Sequence, residues 1–265
     1  MVQRGTRLAA VSVVAVLIIA LAWLGALAPS QATTLASPEP SPGSGCQKGT
    51  GCEQIPSDRP QPAPPNRTPA APEAMGTGVG VLIRPISNEI FARMRGVSWR
   101  PGCIARSALR YLTFNYWGFD RVRHRGELVV AATVARRMAG AVTALYRIGY
   151  PLRQARLVDD FGRARGSGAN DLASMRADNT SAFNCRHVAG SDNWSVHATG
   201  RAIDINPWEN PYSHGGHIYP SAAYRDRRSK HPAVINRHGR VVRAMASQRC
   251  SWFGETDYQH FECRA

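Results

Sequence analysis

A break in composition divides this chain into a part that can build a hydrophobic core and a part that cannot. From Thr33 to about Gly80 the sequence is dense in Pro, Ser, Gly and Ala, as in "RPQPAPPNRTPAAPEA", and has almost no large apolar residue. Such a segment cannot bury enough apolar surface to offset the entropy lost when it becomes ordered. We therefore predict a disordered linker over residues 33–98 and a single folded domain over residues 99–265.

The first 32 residues have the features of an export signal. Arg4 and Arg7 precede an apolar run from Leu8 to Ala28, and Ser30, Gln31 and Ala32 then offer a cleavage site of small residues. Because about 20 apolar residues span a bilayer as a helix, the run at 8–28 is also suited to an uncleaved membrane anchor. Both readings place the remainder outside the cytoplasm.

The cysteine content agrees with an exported protein, in which cysteines usually form disulfides. Six cysteines allow 15 connectivities, and the sequence alone does not choose among them. Proximity along the chain suggests two bridges and leaves a third. These pairs are Cys46–Cys52, Cys250–Cys263 and Cys103–Cys185. No C-x-x-C motif is present, so a structural zinc site of cysteines is not favoured.

The formal net charge of +15 is carried almost wholly by arginine, since lysine occurs only at positions 48 and 230. A basic exported protein is attracted to an anionic cell envelope. The arginines are scattered and lack interleaved aromatic residues, so we expect a solvated basic surface and no nucleic-acid partner. We expect the protein to be a monomer.

The clearest secondary-structure signal is "GELVVAATVARRMAGAVTALYRIGYP". Its apolar residues recur at helical spacing and a glycine and a proline follow them, which predicts a helix over about 133–148. "GELVV" and "LRQARLVDDF" on either side predict strands, and so do the short later segments "GRAIDIN", "RVVRAMA" and "DYQHFECR". Few helices beside several short strands predict an α+β domain with a small antiparallel sheet and flanking helices.

The segment "SVHATGRAID" contains a histidine and an aspartate suited to one metal site. Zn²⁺ binds imidazole nitrogen and carboxylate oxygen, and a catalytic zinc site uses three protein ligands. His197 and Asp204 would meet if the chain turns at Gly200, where the missing side chain permits the bend. Ile203 and Ile205 flank Asp204 at strand spacing, which directs them to the core and the carboxylate to the other face.

A third ligand is expected in "ETDYQHFE", which offers Asp257, His260 and Glu262. A carboxylate beside the metal would serve as the general base for water attack on an amide. A regular strand would aim residues 257 and 260 at opposite faces. Either Asp257 lies at a bend or bulge, or Glu262, on the same face as His260, takes the acid-base role.

The two motifs S-x-H-x-x-G-x-A-x-D and D-x-x-H-F-E together resemble the VanY-like D-alanyl-D-alanine carboxypeptidases, zinc peptidases of a superfamily that includes the hedgehog signalling domain. The resemblance runs from about Trp99 to Glu262 and is looser between Asn206 and Thr256. It implies a hedgehog/DD-peptidase-like fold, a Zn²⁺ cofactor and peptidoglycan stem peptides as the substrate.

The resemblance also implies a role for each matching residue. His197, Asp204 and His260 match the zinc ligands, and Asp257 matches the acidic residue that activates water. Arg186, expected on a strand before the first motif, matches the arginine that binds a substrate carboxylate or carbonyl. Two further residues have supporting roles: Ser195 binds substrate or braces the loop, and Glu262 orients a ligand.

Three alternatives remain open at the level of sequence. The scissile bond is either the terminal D-alanyl-D-alanine bond or an internal one, as in an endopeptidase of the same fold. A non-catalytic zinc-containing wall-binding module is the alternative from a different class, and the acidic residue at position 257 favours the enzyme. His214 and His217 form an H-x-x-H pair in a glycine-rich loop, for which solvated or substrate-facing side chains are favoured over a second metal site.

Overall fold

The computed structural model describes residues 74–166, 168–188 and 190–265. The predicted export signal, most of the predicted linker and the Cys46–Cys52 pair lie outside these ranges. Within them, no helix has the length and apolarity needed to cross a bilayer. The apolar run at 8–28, predicted as a signal or an anchor, also falls outside the described residues.

The described residues form short strands and a few helices. The strands are β1 (Leu82–Pro85), β2 (Leu109–Trp117), β3 (Arg123–Ala131), β4 (Gln154–Ala155), β5 (Asn179–Thr180), β6 (Ala202–Asp204), β7 (Tyr212–His214), β8 (His217–Tyr219), β9 (Cys250–Gly254) and β10 (Asp257–Cys263). The α-helices are α1 (Asn88–Met94), α2 (Ala135–Arg147), α3 (Asp171–Arg176) and α4 (Arg240–Ala246). The 3₁₀ turns are Arg106–Ala108, Val158–Phe161 and Val196–Thr199.

Three small sheets organise the described part of the domain. An antiparallel sheet has the order β1-β2-β3, and a second has the order β6-β10-β7-β8 with β9 also paired to β10. The short strands β4 and β5 pair in parallel. This mixed architecture with small antiparallel sheets and few helices agrees with the predicted α+β class. The central strand of the second sheet, β10, carries the candidate third ligand, so this sheet determines the geometry of the site.

The helix predicted over about 133–148 is confirmed as α2. Met138, Val142 and Leu145 on one face of α2 are buried in the main core. Burying each such side chain stabilises the fold by about 1.5–3 kcal/mol. Gly149 ends the helix with a φ of +62°, which an L-residue adopts only with strain.

Two strand predictions are wrong in whole or in part. "RVVRAMA" forms α4, because its buried residues Val241 and Met245 are four positions apart and define a helical face. In "LRQARLVDDF" only β4 is extended, and Val158–Phe161 form a 3₁₀ turn. Short apolar segments satisfy both periodicities, and in each segment packing against the core decides the structure.

The folded domain begins earlier than residue 99. β1 pairs with β2, and Ile86 and Met94 are buried in a second apolar cluster together with Leu109 and Phe183. The region 82–98, predicted as linker, therefore belongs to the fold. The Pro-rich composition ends near Gly80, and apolar residues that follow it, such as Ile86 and Met94, pack in the second apolar cluster.

Two of the suggested disulfides are present. Cys103 is bonded to Cys185, and Cys250 is bonded to Cys263. The second bond joins directly opposite residues of β9 and β10. The first ties the segment before Arg186 to a distant part of the chain, so it limits the movement of a predicted site residue.

Candidate metal centre

Two of the three predicted ligands lie opposite each other on neighbouring strands. Asp204 ends β6, and His260 on β10 is its antiparallel Cα partner. Opposite residues of an antiparallel pair direct their side chains to the same face. Nδ1 of His260 lies 2.9 Å from Oδ1 of Asp204. The sheet register therefore brings together residues that are far apart in sequence.

The third ligand, His197, lies on the 3₁₀ turn that precedes β6. The hydroxyl of Ser195 accepts a hydrogen bond from the His197 amide at 3.3 Å and caps this turn. Gly200 ends it with a φ of +68°, so the expected bend is present. Nε2 of His197 lies 3.1 Å from Oδ2 of Asp204 and 3.2 Å from Nδ1 of His260.

The three side chains form a compact donor set for a metal ion. Their donor atoms all lie within 4.8 Å of one another, and the three residues are 4–7% exposed. Two imidazole nitrogens and one carboxylate oxygen suit Zn²⁺, and three protein ligands leave a position for water or substrate. The chemistry of the set therefore fits the predicted zinc cofactor.

Hydrogen bonds behind the two histidines select the tautomers that a metal requires. Nδ1 of His197 lies 2.5 Å from the carbonyl oxygen of Ala182, which can only accept, so Nδ1 donates and Nε2 is free to bind. Nε2 of His260 lies 3.4 Å from a carboxylate oxygen of Glu262, so Nδ1 is the ring nitrogen that faces Asp204 and the donor cluster. Partners of this kind fix the ring orientation of metal-binding histidines.

The electrostatics keep the Asp204 carboxylate ionised. Burial alone would raise the pKa of Asp204, but the charges and hydrogen bonds of His197 and His260 outweigh burial and hold that pKa far below its ordinary value. Burial lowers the pKa of His197, but the charge and the hydrogen bond of Asp204 together outweigh burial and raise this pKa above its ordinary value. The cluster is thus arranged around one negative charge at its centre, which favours a bound cation.

Asp257 occupies an irregular position at the start of β10. It pairs with Tyr212 of β7 and with Gly254 of β9, and the register against β9 shifts between Asp257 and Phe261. The side chains of residues 257 and 260 therefore need not point to opposite faces of the strand. This agrees with the first of the two sequence alternatives, in which Asp257 lies at a bend or bulge. Oδ1 of Asp257 is buried and has no hydrogen-bond partner in the described part of the chain.

The surroundings of Asp257 suit a group that exchanges a proton. Burial, and then the negative charge of Asp204, raise the pKa of Asp257 to about 8, while His260 opposes this change. A general base works best when its pKa lies near the working pH. Glu262 is instead half exposed and contacts the outer nitrogen of His260, which matches the orienting role.

Arg186 lies near the cluster but not on a strand, contrary to the prediction. Its guanidinium forms an ion pair with Asp171 of α3, and Nη1 donates to the carbonyl of His187 at 3.2 Å. Burial lowers the pKa of Arg186, and the charges of Asp171 and Asp204 raise it more. Nε is buried and has no partner among the described residues.

Sequence reasoning missed Asp171 and Tyr212 as residues of this region. Asp171 begins a short helix and reaches Arg186 only through tertiary folding. Tyr212 is brought to Asp257 by strand pairing. No local pattern marks either contact. His214 and His217 do not join the metal cluster, which within the described ranges contains only the three predicted ligands.

Comparison with known proteins supports the assignment of the motifs. Residues 189–263 match a family model described as D-alanyl-D-alanine carboxypeptidase. This segment contains His197, Asp204, Asp257 and His260, and it excludes Arg186. The match supports the family predicted from the two motifs over this part of the chain. No curated protein and no solved structure matches the chain.

Proposed function

We propose that this protein is a zinc-dependent peptidase that hydrolyses amide bonds in peptidoglycan stem peptides, with the terminal D-alanyl-D-alanine bond as its substrate. The main support is the buried group of His197, Asp204 and His260 beside an unpartnered carboxylate oxygen of Asp257. The family match supports the peptidase class. The predicted hedgehog/DD-peptidase-like fold is part of this proposal.

Each residue has a defined task in hydrolysis. His197, Asp204 and His260 would hold Zn²⁺, which would supply Lewis-acid polarisation of the scissile carbonyl and a lowered pKa of water. Asp257 accepts a proton from the attacking water and delivers it to the leaving amine nitrogen as the C–N bond breaks. Burial raises the pKa of Asp257 towards the neutral range, as proton acceptance and proton delivery by one group require. Ser195 supports His197 through the turn cap.

Arg186 is the proposed substrate-binding cation. An arginine forms strong charge-assisted hydrogen bonds with a terminal carboxylate, and it also stabilises a developing oxyanion. The ion pair with Asp171 holds the guanidinium in place and partly neutralises it. Because Asp171 offsets part of the Arg186 charge, the preference of Arg186 for a terminal carboxylate over a neutral carbonyl is reduced. This pairing supports a second candidate, an endopeptidase that cleaves an internal bond.

We further propose that the domain acts outside the cytoplasm. Two disulfides in the described residues are typical of exported proteins. A linker between an N-terminal membrane or export segment and the catalytic domain would let the domain reach the cell wall. The excess of arginine would hold it close to an anionic cell envelope.

The test is zinc-dependent release of D-alanine from a synthetic pentapeptide stem, followed by mass spectrometry. The wild type should release D-alanine, and Asp257→Asn should bind zinc normally but react about 10²–10⁴-fold more slowly. Glu255→Gln is the matched control, because Glu255 is an exposed carboxylate in the turn between β9 and β10 and should leave the rate unchanged.

The products distinguish the candidates. Release of an internal fragment instead of D-alanine would support the endopeptidase. Zinc binding without hydrolysis of any stem peptide would contradict the peptidase proposal and support the wall-binding module.

A further inference from the structure

An uncharged aromatic segment interrupts this strongly basic chain. The protein has 33 Lys and Arg and 18 Asp and Glu residues, yet residues 210–224, "NPYSHGGHIYPSAAY", contain none of these four types. The segment has three tyrosines and two histidines instead. Without Asp, Glu, Lys or Arg, this segment would bind a ligand through contacts with its aromatic rings and through hydrogen bonds.

The structure places four of these rings on one face of a hairpin. In β7 and β8, Tyr212 is opposite Tyr219 and His214 is opposite His217. Opposite residues and residues two apart on a strand share a face, so the four rings lie together. The planes of Tyr212 and His214 differ by only 16°. We name Tyr212, His214, His217 and Tyr219 the ring face.

The ring face is accessible and its turn is well defined. Gly215 and Gly216 connect the strands with φ values of +56° and +79°, as a tight two-residue hairpin turn requires. Both histidines are exposed, and both tyrosines are partly exposed. The rings therefore remain available to a ligand from solvent.

The ring face continues into the candidate metal centre. Tyr212, at its inner end, is the Cα partner of Asp257. Burial and then the charge of Asp257 raise the pKa of Tyr212, and the charge of Arg186 opposes this change. A substrate held at Asp257 and Arg186 would therefore extend along the rings.

We propose that the ring face binds the sugar rings of the glycan to which the stem peptide is attached, which makes glycan-linked stems the preferred substrate. This inference rests on the proposed function. The C–H face of a pyranose ring is attracted to the negative face of an aromatic ring. The imidazole and phenol groups form hydrogen bonds with sugar hydroxyls. An uncharged aromatic surface suits such a neutral ligand.

The dimensions agree with this assignment. A peptide residue spans at most about 3.5 Å, and four residues separate the sugar from the terminal bond of a five-residue stem, so the sugar lies within about 14 Å of the scissile bond. The strand from Tyr212 to His214 extends about 7 Å away from Asp257, and the side chains add further reach. The glycan of a bound stem can therefore contact the rings.

Direct binding is tested with chitotetraose, a neutral sugar oligomer that a peptidase does not cleave. Isothermal titration of the wild type should show millimolar or tighter binding. The double variant His214→Ala/His217→Ala and the single variant Tyr219→Ala should each weaken it at least tenfold. Ser213→Ala is the matched control, because Ser213 lies on the opposite face of the same strand. Equal binding by wild type and both ring variants would overturn the proposal.

The salt dependence separates sugar stacking from attraction to an anionic polymer. Binding of chitotetraose should change less than twofold between low salt and about 0.5 M NaCl, because screening acts on charges and not on ring contacts. Loss of binding in salt would overturn the proposal in favour of an electrostatic surface. Circular dichroism of each variant verifies that the hairpin substitutions leave the fold intact.

Kinetics then connect the ring face to the reaction. The wild type should show a kcat/KM about tenfold higher for a glycan-linked pentapeptide than for the free pentapeptide, and His214→Ala/His217→Ala should abolish this preference. If the free pentapeptide is cleaved and no preference exists, the inference fails while the peptidase proposal stands. If chitotetraose binds but neither peptide is cleaved, the peptidase proposal fails and the sugar site stands.

Discussion

The turn at Gly200 lies between two ligands, and Gly200→Ala tests whether this turn sets the geometry of the metal centre. A Cβ atom at position 200 would lie 2.6 Å from the backbone nitrogen of Ala131 and 3.2 Å from the carbonyl carbon of Val130. Both atoms belong to the backbone of β3 and cannot rotate away. The Gly200 carbonyl also accepts a hydrogen bond from the Ala131 amide at 2.8 Å.

Two effects contribute to the loss in the free energy of unfolding caused by Gly200→Ala. An L-residue with φ of +68° costs about 1–2 kcal/mol relative to glycine. The steric overlap with β3 forces a backbone shift that costs about 1–3 kcal/mol more. The total loss in the free energy of unfolding is about 2–5 kcal/mol. The shift also moves His197 relative to Asp204, so zinc affinity should fall at least tenfold.

Gly149→Ala is the matched control. Gly149 has nearly the same φ, +62°, but an added Cβ would meet no atom within 4 Å. Gly149→Ala should lower the free energy of unfolding only by the backbone strain, about 1–2 kcal/mol, and should leave zinc affinity unchanged. Urea denaturation of the zinc-free proteins and calorimetric titration with zinc measure both quantities. Equal destabilisation by the two substitutions, with equal zinc affinity, would refute the role of the turn.

Three further perturbations have defined outcomes. Glu262→Gln should weaken zinc binding about 10-fold or more, because a weaker acceptor then orients His260, and unchanged affinity would exclude this contact as a determinant. Burial, and then the charge of Asp178, raise the pKa of Glu209 to about 9. The stability from this protonated carboxyl is complete below pH 4.5 and is lost as the pH rises to about 9. The melting temperature of Glu209→Gln should therefore fall less than that of the wild type between pH 4.5 and about 9. Parallel curves of melting temperature against pH for the two proteins would contradict the pKa shift. Replacing Cys103 and Cys185 by serine removes a bridge across 82 residues and should cost about 4–5 kcal/mol in urea denaturation, whereas a loss below about 1 kcal/mol would contradict the chain-entropy argument.

Local patterns predicted the features whose causes are local. The helical period of Met138, Val142 and Leu145 determines α2, and the structure confirms this helix. The ligands His197 and Asp204 lie in one short motif separated by a glycine bend. These features depend on neighbours in sequence, so the sequence displays them.

Features that depend on tertiary contacts could not be predicted in this way. The register shift next to Asp257 occurs where β10 pairs with both β7 and β9. The pairing of Arg186 with Asp171 joins separate segments. The four residues of the ring face lie close together in sequence. Their position next to Asp257, however, follows only from the pairing of β7 with β10.

The central claim is that His197, Asp204 and His260 hold a catalytic zinc ion. The most direct measurement is titration of metal-stripped protein with zinc while release of amine from a pentapeptide stem is followed. Activity should rise in proportion to added zinc and reach a plateau at a single zinc ion per chain. His260→Ala should show neither tight zinc binding nor hydrolysis. Full hydrolysis by the metal-free protein, or by His260→Ala, would contradict the claim.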